Sequence, residues 1–196
     1  QPITAAPEIA DVNGNTVLYF GTGRYLSQDD LTLDAQQAIY AVKDKISSET
    51  APSSLIQQAI SGNTIDNNPV NWTTDGGWFI NLPDEKERIA LEAKLIMGTL
   101  IVSSIVPEAT ECQPDGYGNL FFIDYSSGGS IDGGQVIFKY DSPIVGMSAM
   151  RLSDGSVKLV PITAKGDSFT RNVPIGSGGT TGADSGKRLL WRELID

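Results

Sequence analysis

Short runs of β-branched and aromatic residues, separated by clusters of Gly, Asn, Asp and Pro, recur along the 196 residues of this chain. Such runs are typical of strands, because β-branched and aromatic side chains fit a pleated, half-buried surface. The pattern therefore predicts an antiparallel all-β protein. The predicted strands cover residues 16–21, 38–43, 77–82, 88–91, 95–106, 119–125, 135–140, 144–152, 157–162 and 187–193.

Two dipeptides predict tight turns between strands. Asn13-Gly14 precedes the first predicted strand, and Asp154-Gly155 separates two later ones. Both dipeptides tolerate the positive φ that a two-residue hairpin requires. One short helix is predicted at 53–61, where apolar residues share a helical face after a proline. The glycine-rich segment 176–186 is expected to be a mobile loop.

The spacing of the strands favours sheets of about four strands that repeat every ~40 residues, which is the pattern of a β-propeller. The predicted fold class is all-β, with the antiparallel sheets of a partial β-propeller and few short helices. A β-sandwich is the main alternative. Trp72, Trp78 and Trp191 lie in strand-like contexts. We expect them in the core, where large aromatic side chains can fill the wedge between neighbouring sheets.

The charge of the chain disfavours two classes of partner. The sequence has 24 Asp and Glu against 14 Lys and Arg, for a net charge of −10. Nucleic acid and anionic membrane surfaces attract clustered Lys and Arg, so neither is expected as a partner. The longest apolar stretch, 95–106, is interrupted by Gly98 and is too short to span a membrane. The chain opens with Gln1 and has no signal-peptide pattern, and we interpret it as a fragment of a longer protein.

The absence of histidine limits the chemistry that this chain can perform by itself. Histidine is the most common general base and metal ligand, so Ser-His-Asp and Cys-His catalysis are excluded within the chain. Cys112 is the single cysteine. An internal disulfide and a zinc site of several cysteines are therefore excluded as well.

The string 20–26 contains Gly21-Thr22-Gly23 after an apolar run and suggests a phosphate-binding loop at first sight. It lacks both the third glycine and the Gly-Lys-Ser/Thr ending of such loops. Asp29 and Asp30 follow where the phosphates would lie. We therefore interpret the string as a turn at the exit of a strand, and we expect Arg24 to form a structural ion pair with Asp29 or Asp30.

Other polar residues are candidates for a metal-binding or catalytic site. Residues 11–15 place oxygen side chains at alternate positions, as a calcium loop does, but Thr16 and Thr22 stand where an EF-hand loop has Gly and Glu. A hairpin turn is favoured there. Asp29, Asp30 and Asp34 are expected in a solvated loop, and 126–129 in a turn between strands. Nothing singles out a catalytic pair among the acids, so no residue is assigned to catalysis, cofactor binding or metal binding.

Seven phrases occur in a characteristic order along the chain. They are Gln1 to Pro7, Phe20 to Leu26 with Asp29-Asp30, Gln36 to Asp44, Gly76 to Pro83, Glu87-Arg88, Ile105-Val106-Pro107 with Cys112, and Arg188 to Leu194. Together they resemble the carboxy-terminal β-propeller of the PilY1/PilC family, the tip-associated adhesins and assembly factors of type IV pili. The resemblance covers the whole chain, and it implies that residues 1–196 are the carboxy-terminal part of such a domain.

The resemblance implies a non-enzymatic module that supports pilus assembly, twitching motility and surface attachment. The expected location is the bacterial cell envelope: the periplasm or outer membrane, the pilus tip and the cell surface. Pilin and minor pilin subunits, and a host or abiotic surface, are the implied partners. The calcium loop of the family has no counterpart here, so any calcium would bind elsewhere in the full-length domain. Lys86 and the segment 115–118 also depart from the family pattern.

Two other functions remain open at this point. One is an enzyme on a propeller scaffold, such as a quinoprotein-like dehydrogenase or a glycosidase. A quinoprotein would require adjacent cysteines, and this chain has only Cys112. The other is a stand-alone carbohydrate-binding β-domain. That function requires four aromatic side chains to be exposed to solvent, namely Tyr25, Trp72, Trp78 and Tyr117.

Overall fold

A computed structural model describes residues 1–27, 29–30, 34–45, 54–107 and 116–178. Strands and turns make up most of these residues, which contain no α-helix, and a 3-10 turn lies at Ile131–Gly133. The expectation of an all-β chain is therefore confirmed. The strands assemble into three main sheets and one small hairpin.

The first sheet has five strands in the order β1-β2-β3-β7-β4. All neighbours pair antiparallel except β4, which runs parallel to β7. A separate two-stranded hairpin consists of β5 and β6. The bounds are β1 Glu8–Val12, β2 Asn15–Gly21, β3 Ala38–Lys43, β4 Leu55–Gln57, β5 Ile60–Ser61, β6 Thr64–Ile65 and β7 Gly77–Asn81.

The second and third sheets follow in chain order. The second has the order β11-β10-β9-β8 and the third the order β12-β13-β14, with antiparallel pairing throughout. The bounds are β8 Lys94–Ile96, β9 Thr99–Pro107, β10 Gly116–Asp124, β11 Ile137–Tyr140, β12 Ile144–Arg151, β13 Val157–Thr163 and β14 Arg171–Asn172.

The second sheet is buried on both of its faces. Every residue of β9 is buried, and so is every residue of β10 except Tyr117. The first sheet packs on the face that carries Phe121. Tyr125 follows β10 on the same side, and its ring centre lies 6.3 Å from that of Tyr19. The third sheet packs on the other face, where the guanidinium of Arg171 lies 3.9 Å from the ring centre of Phe138. One apolar core joins the three sheets.

Two tryptophans anchor the first sheet to the second. The Trp78 Nε1 donates to the carbonyl of Tyr125 at 3.2 Å, and the Trp72 Nε1 donates to the carbonyl of Ser126 at 2.9 Å. Trp78 is completely buried and Trp72 is 6% exposed. The prediction that these two residues fill the space between sheets is confirmed, whereas Trp191 lies outside the described residues.

Most predicted strands are found with small shifts of their ends. The segment 38–43 coincides with β3. The strands predicted at 16–21, 77–82, 119–125, 135–140, 144–152 and 157–162 correspond to β2, β7, β10, β11, β12 and β13. The strand at 187–193 and the loop from residue 179 to 186 fall outside the described residues. Three packed sheets rather than two argue against the sandwich alternative.

Three predicted elements are wrong or incomplete. The helix at 53–61 is not formed, because Leu55–Gln57 is β4 and pairs with β7, and this tertiary pairing overrides a weak local helical pattern. The predicted strand at 88–91 is not formed, and a single β-bridge between Arg88 and Ile105 lies in its place. The strand at 95–106 is split, because Met97 and Gly98 take φ values of 53° and 74° and turn the chain between β8 and β9.

The two predicted hairpin turns differ from each other. Asn13 and Gly14 both have positive φ and join β1 to β2 in a two-residue turn, as expected. At Asp154-Gly155 only the glycine has positive φ, and its N–H donates to the carbonyl of Leu152 at 3.0 Å. This connection is therefore longer than the predicted two-residue turn. It resembles the hairpin loops in which a type I turn is followed by a glycine in the left-handed conformation.

Gly128 offers a test of the contact between the first and second sheets. Its φ is 79°, and an added Cβ would lie 2.5 Å from the Trp78 ring. Gly166 has a similar φ of 87° with open space around it. We expect Gly166→Ala to lower the free energy of unfolding by about 1–2 kcal/mol through backbone strain alone. Gly128→Ala should cost a further ~1–3 kcal/mol through overpacking. Urea denaturation checks this, and equal losses in both variants would contradict the packing of Trp78 on Gly128.

Candidate interaction surface

The string that resembles a phosphate loop is closed by an ion pair. The Nε of Arg24 lies 2.6 Å from the Oδ1 of Asp30. The N–H groups of Leu26 and Ser27 donate to the Oδ2 of the same carboxylate at 2.9 and 3.0 Å. The predicted pairing of Arg24 is therefore confirmed, with Asp30 as its partner. The prediction of a solvated loop is wrong for Asp30, which is completely buried, although Asp29 and Asp34 are exposed.

Arg88 fills the space beneath this turn. Its Nη1 donates to the carbonyl oxygens of Arg24, at 2.9 Å, and Asp30, and its Nε donates to the carbonyl of Lys86 at 2.9 Å. A Cβ on Gly23 would lie 2.4 Å from the Cβ of Arg88, so this glycine allows the two segments to meet. The turn is thus occupied by protein groups and offers no anion site.

Glu87 completes the buried polar cluster, which consists of Asp30, Glu87 and Arg88, with the exposed side chain of Arg24 paired to Asp30. Its carboxylate accepts hydrogen bonds from the Asn119 Nδ2 at 2.8 Å, from the Ser104 hydroxyl and from the Asp84 N–H at 3.1 Å. Burial raises the pKa of Glu87 above its ordinary value, while these hydrogen bonds oppose the change. The side chain is 1% exposed and is engaged internally. Its surroundings fit a structural acid better than a general acid that must reach a substrate.

The start of the chain is tied to the same region. The Gly23 N–H donates to the carbonyl of Pro2 at 2.8 Å, and the Tyr40 hydroxyl donates to the Gln1 Oε1 at 2.7 Å. The Gln36 Nε2 donates to the carbonyl of Leu82 at 2.7 Å. Five of the phrases that carry the family resemblance therefore converge here, although they are far apart in sequence.

The remaining polar candidates form turns. The Asp11 Oδ1 accepts the Gly14 N–H at 3.0 Å within the β1–β2 hairpin. The Asp124 carboxylate accepts N–H bonds from Ser126 and Ser127, both at 3.0 Å, and from Ser177 at 2.6 Å. Burial opposes ionisation of Asp124, yet the bonds from Ser177 and Ser126 lower its pKa. The hairpin at 11–15 and the turn at 126–129 are thus confirmed.

The described residues contain neither a metal-binding cluster nor a membrane-spanning helix. In these residues no group of three or more His, Cys, Asp or Glu is placed to hold a metal ion, and Cys112 falls outside them. Over the same part of the chain no helix has the length and apolar character needed to cross a membrane.

Two of the four aromatic side chains that a carbohydrate-binding function requires to be exposed are buried. Trp72 and Trp78 are buried in the core rather than exposed. Tyr117 is covered by the ammonium of Lys139, which lies 3.4 Å from its ring centre. Tyr25 is partly exposed. These rings do not form a shared sugar-binding platform.

The strand β12 is an open feature of the described part of the chain. Within the described ranges β12 has a strand neighbour on one side only, namely β13. Several of its side chains are exposed, including Val145 at 51% and Met150 at 50%, and Ile162 on β13 is 40% exposed. A groove of about 360 Å³ lies beside Met147 of the same strand. We call Val145, Met150 and Ile162 the β12 surface, whereas Met147 packs against the core.

A long unpaired edge with exposed apolar side chains is typical of a site for another polypeptide. Backbone N–H and C=O groups of such an edge can pair with an added strand, and the neighbouring apolar side chains give it area to bury. Sequence reasoning missed this surface because the strand pattern of β12 looks the same whether or not a neighbour covers it. The exposure of Val145 and Met150 depends on the tertiary arrangement alone.

The stacked antiparallel sheets of the described residues define a propeller-like all-β fold. No model of a known protein family matches the chain. Two curated proteins of Xylella fastidiosa strain Temecula1 are similar to it, and each is named a type IV pilus biogenesis factor PilY1 homolog. One is 26% identical over all of this chain, and the other is 27% identical over 66% of it.

A solved structure has the same fold. The crystal structure of the Pseudomonas aeruginosa PilY1 C-terminal domain matches 89% of this chain with a TM-score of 0.69 and 18% identity. Together with the sequence similarity, this match shows that the chain is homologous to PilY1 proteins. The chain spans 18% and 10% of the lengths of the curated relatives and 45% of the solved domain.

The Asp30 carboxylate gives the fold a pH dependence. Hydrogen bonds from the Leu26 N–H, Arg24 and the Ser27 N–H lower the pKa of Asp30 to about 2, although burial opposes them. An aspartate in the unfolded chain has a pKa of about 3.9. The ionised carboxylate therefore stabilises the fold fully above about pH 4, and this contribution is lost as the pH falls from about 4 to about 2.

We expect Asp30→Asn to lower the free energy of unfolding at pH 6 and to remove part of its decline between about pH 4 and about pH 2. Urea denaturation at a series of pH values measures both effects. Asp34→Asn, at an exposed carboxylate, is the matched control and should behave like the wild type. A decline in Asp30→Asn as steep as in the wild type would show that Asp30 is not held ionised by this cluster.

Proposed function

We propose that this chain is a non-enzymatic part of a type IV pilus biogenesis factor in the bacterial cell envelope. The similarity to two proteins of that name, one of them over the entire chain, carries the proposal. The fold shared with the PilY1 C-terminal domain supports it. Since the chain spans a small part of those relatives, its function is that of a module within a larger protein.

The non-enzymatic role is supported by how the buried acids are used. Asp30, Glu87 and Asp124 each accept several hydrogen bonds from protein groups that hold loops together. Such engagement favours structural acids over acids that act on a substrate. We place any calcium site of the full-length protein outside this chain.

We further propose that the β12 surface binds pilin or minor pilin subunits. An open strand edge accepts a partner strand through main-chain hydrogen bonds, and Val145 and Met150 supply exposed apolar area beside it. Through this contact the protein supports pilus assembly, and with it twitching motility and attachment to host or abiotic surfaces. The pilus tip and the cell surface are the corresponding locations.

Deletion of the full-length gene tests the pilus role. The strain is expected to lose surface pili and twitching, and the wild-type gene on a plasmid is expected to restore both. Electron microscopy and a twitching assay measure the outcome. Normal piliation, motility and attachment in the deletion strain would overturn the proposal.

The β12 surface is tested in the same strain with full-length variants. Val145→Lys combined with Met150→Lys should place two charges on the proposed contact and reduce piliation, while the protein accumulates at wild-type levels. Ser61→Lys combined with Thr73→Lys makes the same change at two exposed residues elsewhere and should restore pili fully. Full restoration by the β12 variant would show that pilin binds another surface, with the pilus role itself intact.

A further inference from the structure

The hydrogen bonds of β13 show to which side each of its residues bonds. Successive residues of a paired strand direct their N–H and C=O groups to alternate sides. The carbonyl groups of Val157 and Pro161 accept hydrogen bonds from the segment that contains β14, from the N–H of Val173 at 2.9 Å and from that of Phe169 at 3.3 Å. The residues of β13 that alternate with Val157 and Pro161 therefore bond to β12.

The register between the two strands then identifies the backbone groups on the other side of β12. Ser148 and Met150 are the register partners of those alternate residues of β13, so they bond to β13. Met147 and Ala149 alternate with them along β12. Their N–H and C=O groups therefore point to the side where β12 has no strand neighbour among the described residues. We call Met147 and Ala149 the open edge.

The groove beside Met147 has room for a side chain of an added strand. Its volume is about 360 Å³, and Ala5, Ala6, Ala90 and Leu91 contribute small and aliphatic side chains to its lining. Residues directly opposite each other in a strand pair place their side chains on the same face of the sheet. A side chain opposite Met147 therefore extends on the side of the groove, where an aliphatic side chain matches this lining.

The charges along the open edge favour an acidic partner strand. The strands β12 and β13 carry two charged residues, Arg151 and Lys158, and both are basic, although the net charge of the chain is −10. Asp154 lies outside the strands, in the turn between them, and the groove lining adds one acidic and one basic residue. Opposite charges directly across a strand pair stabilise the pairing. An acidic side chain therefore fits opposite Arg151.

We propose that the open edge accepts an antiparallel strand of a pilin or minor pilin subunit. This strand has an aliphatic side chain opposite Met147 and an acidic side chain four positions earlier, opposite Arg151. In such an addition the main-chain hydrogen bonds to Met147 and Ala149 provide affinity, and the alternate side chains provide specificity. The inference rests on the proposed function and adds to it the mode of binding and the chemistry of the bound segment.

Hydrogen exchange of the purified full-length protein, with and without purified pilin and minor pilin subunits, tests the strand addition at single residues. The amides of Met147 and Ala149 are expected to exchange about tenfold more slowly, or slower still, when the subunits are bound. The amides of Ser148 and Met150 are the internal control. They already bond to β13, so their exchange should change much less.

A proline at the open edge tests the same hydrogen bonds by binding. Ala149→Pro removes an N–H that points away from β13, which is the position where a strand tolerates proline. This variant is expected to bind the subunits about tenfold more weakly or worse, because one main-chain bond is lost and the ring meets the added strand. Ala149→Val keeps the N–H and should bind like the wild type. Calorimetric titration measures both, and urea denaturation checks that both are folded.

The acidic side chain of the partner is tested by charge reversal. Arg151→Glu should weaken binding of the subunits, because two acidic groups then lie opposite each other. Lys165→Glu makes the same change of charge at an exposed residue in a turn and should bind like the wild type. Equal binding by both variants would overturn the proposed acidic chemistry of the strand.

The remaining outcomes separate the inference from the proposed function. Subunits that bind without selective slowing at Met147 and Ala149, or that bind Ala149→Pro and Ala149→Val equally, would overturn the strand addition and leave the pilus role in place. Slowing that appears without subunits and disappears on dilution would assign the open edge to a second copy of the protein. No binding of any subunit to the wild type would overturn both the inference and the proposed pilin contact.

Discussion

The strands β9 and β10 carry apolar side chains on both faces, so neither face of the second sheet is stable in water. The first and third sheets cover these faces, and the contacts of Trp78 and Arg171 follow from that requirement. Burial of apolar area is the main favourable term in folding, so this double burial holds the three sheets together.

The buried polar cluster solves a problem that this packing creates. The loop that follows β2 and the loop that follows β7 meet near the core, and their buried charged groups lose contact with water there. An unpaired buried charge is costly, whereas a charge that is paired and hydrogen-bonded is tolerated. Asp30 meets this condition through Arg24 and two backbone N–H groups, and Arg88 meets it by donating to the carbonyl groups of Arg24 and Asp30. The glycines of the 20–26 string serve this close approach rather than a ligand.

The sequence predicts local features better than tertiary ones. The β-branched run 38–43 and the Asn13-Gly14 turn depend on neighbouring residues, and both are formed as predicted. The helix at 53–61 failed because β4 forms only when β7 lies beside it. Asp30 was expected in solvent since its burial depends on Arg24 and on the distant Arg88. That β12 has a strand neighbour on one side only among the described residues has no local signal, so the candidate surface could not be predicted from the sequence.

Native-state hydrogen exchange of the full-length protein, followed residue by residue, tests the stacked arrangement most directly. If the second sheet is the doubly buried centre, the amides of β9 and β10 exchange slowest and only through global unfolding. The amides of β12 that face away from β13 exchange fastest among the long strands. Exchange of β9 and β10 at the rate of β12 would contradict the central place of the second sheet in this fold.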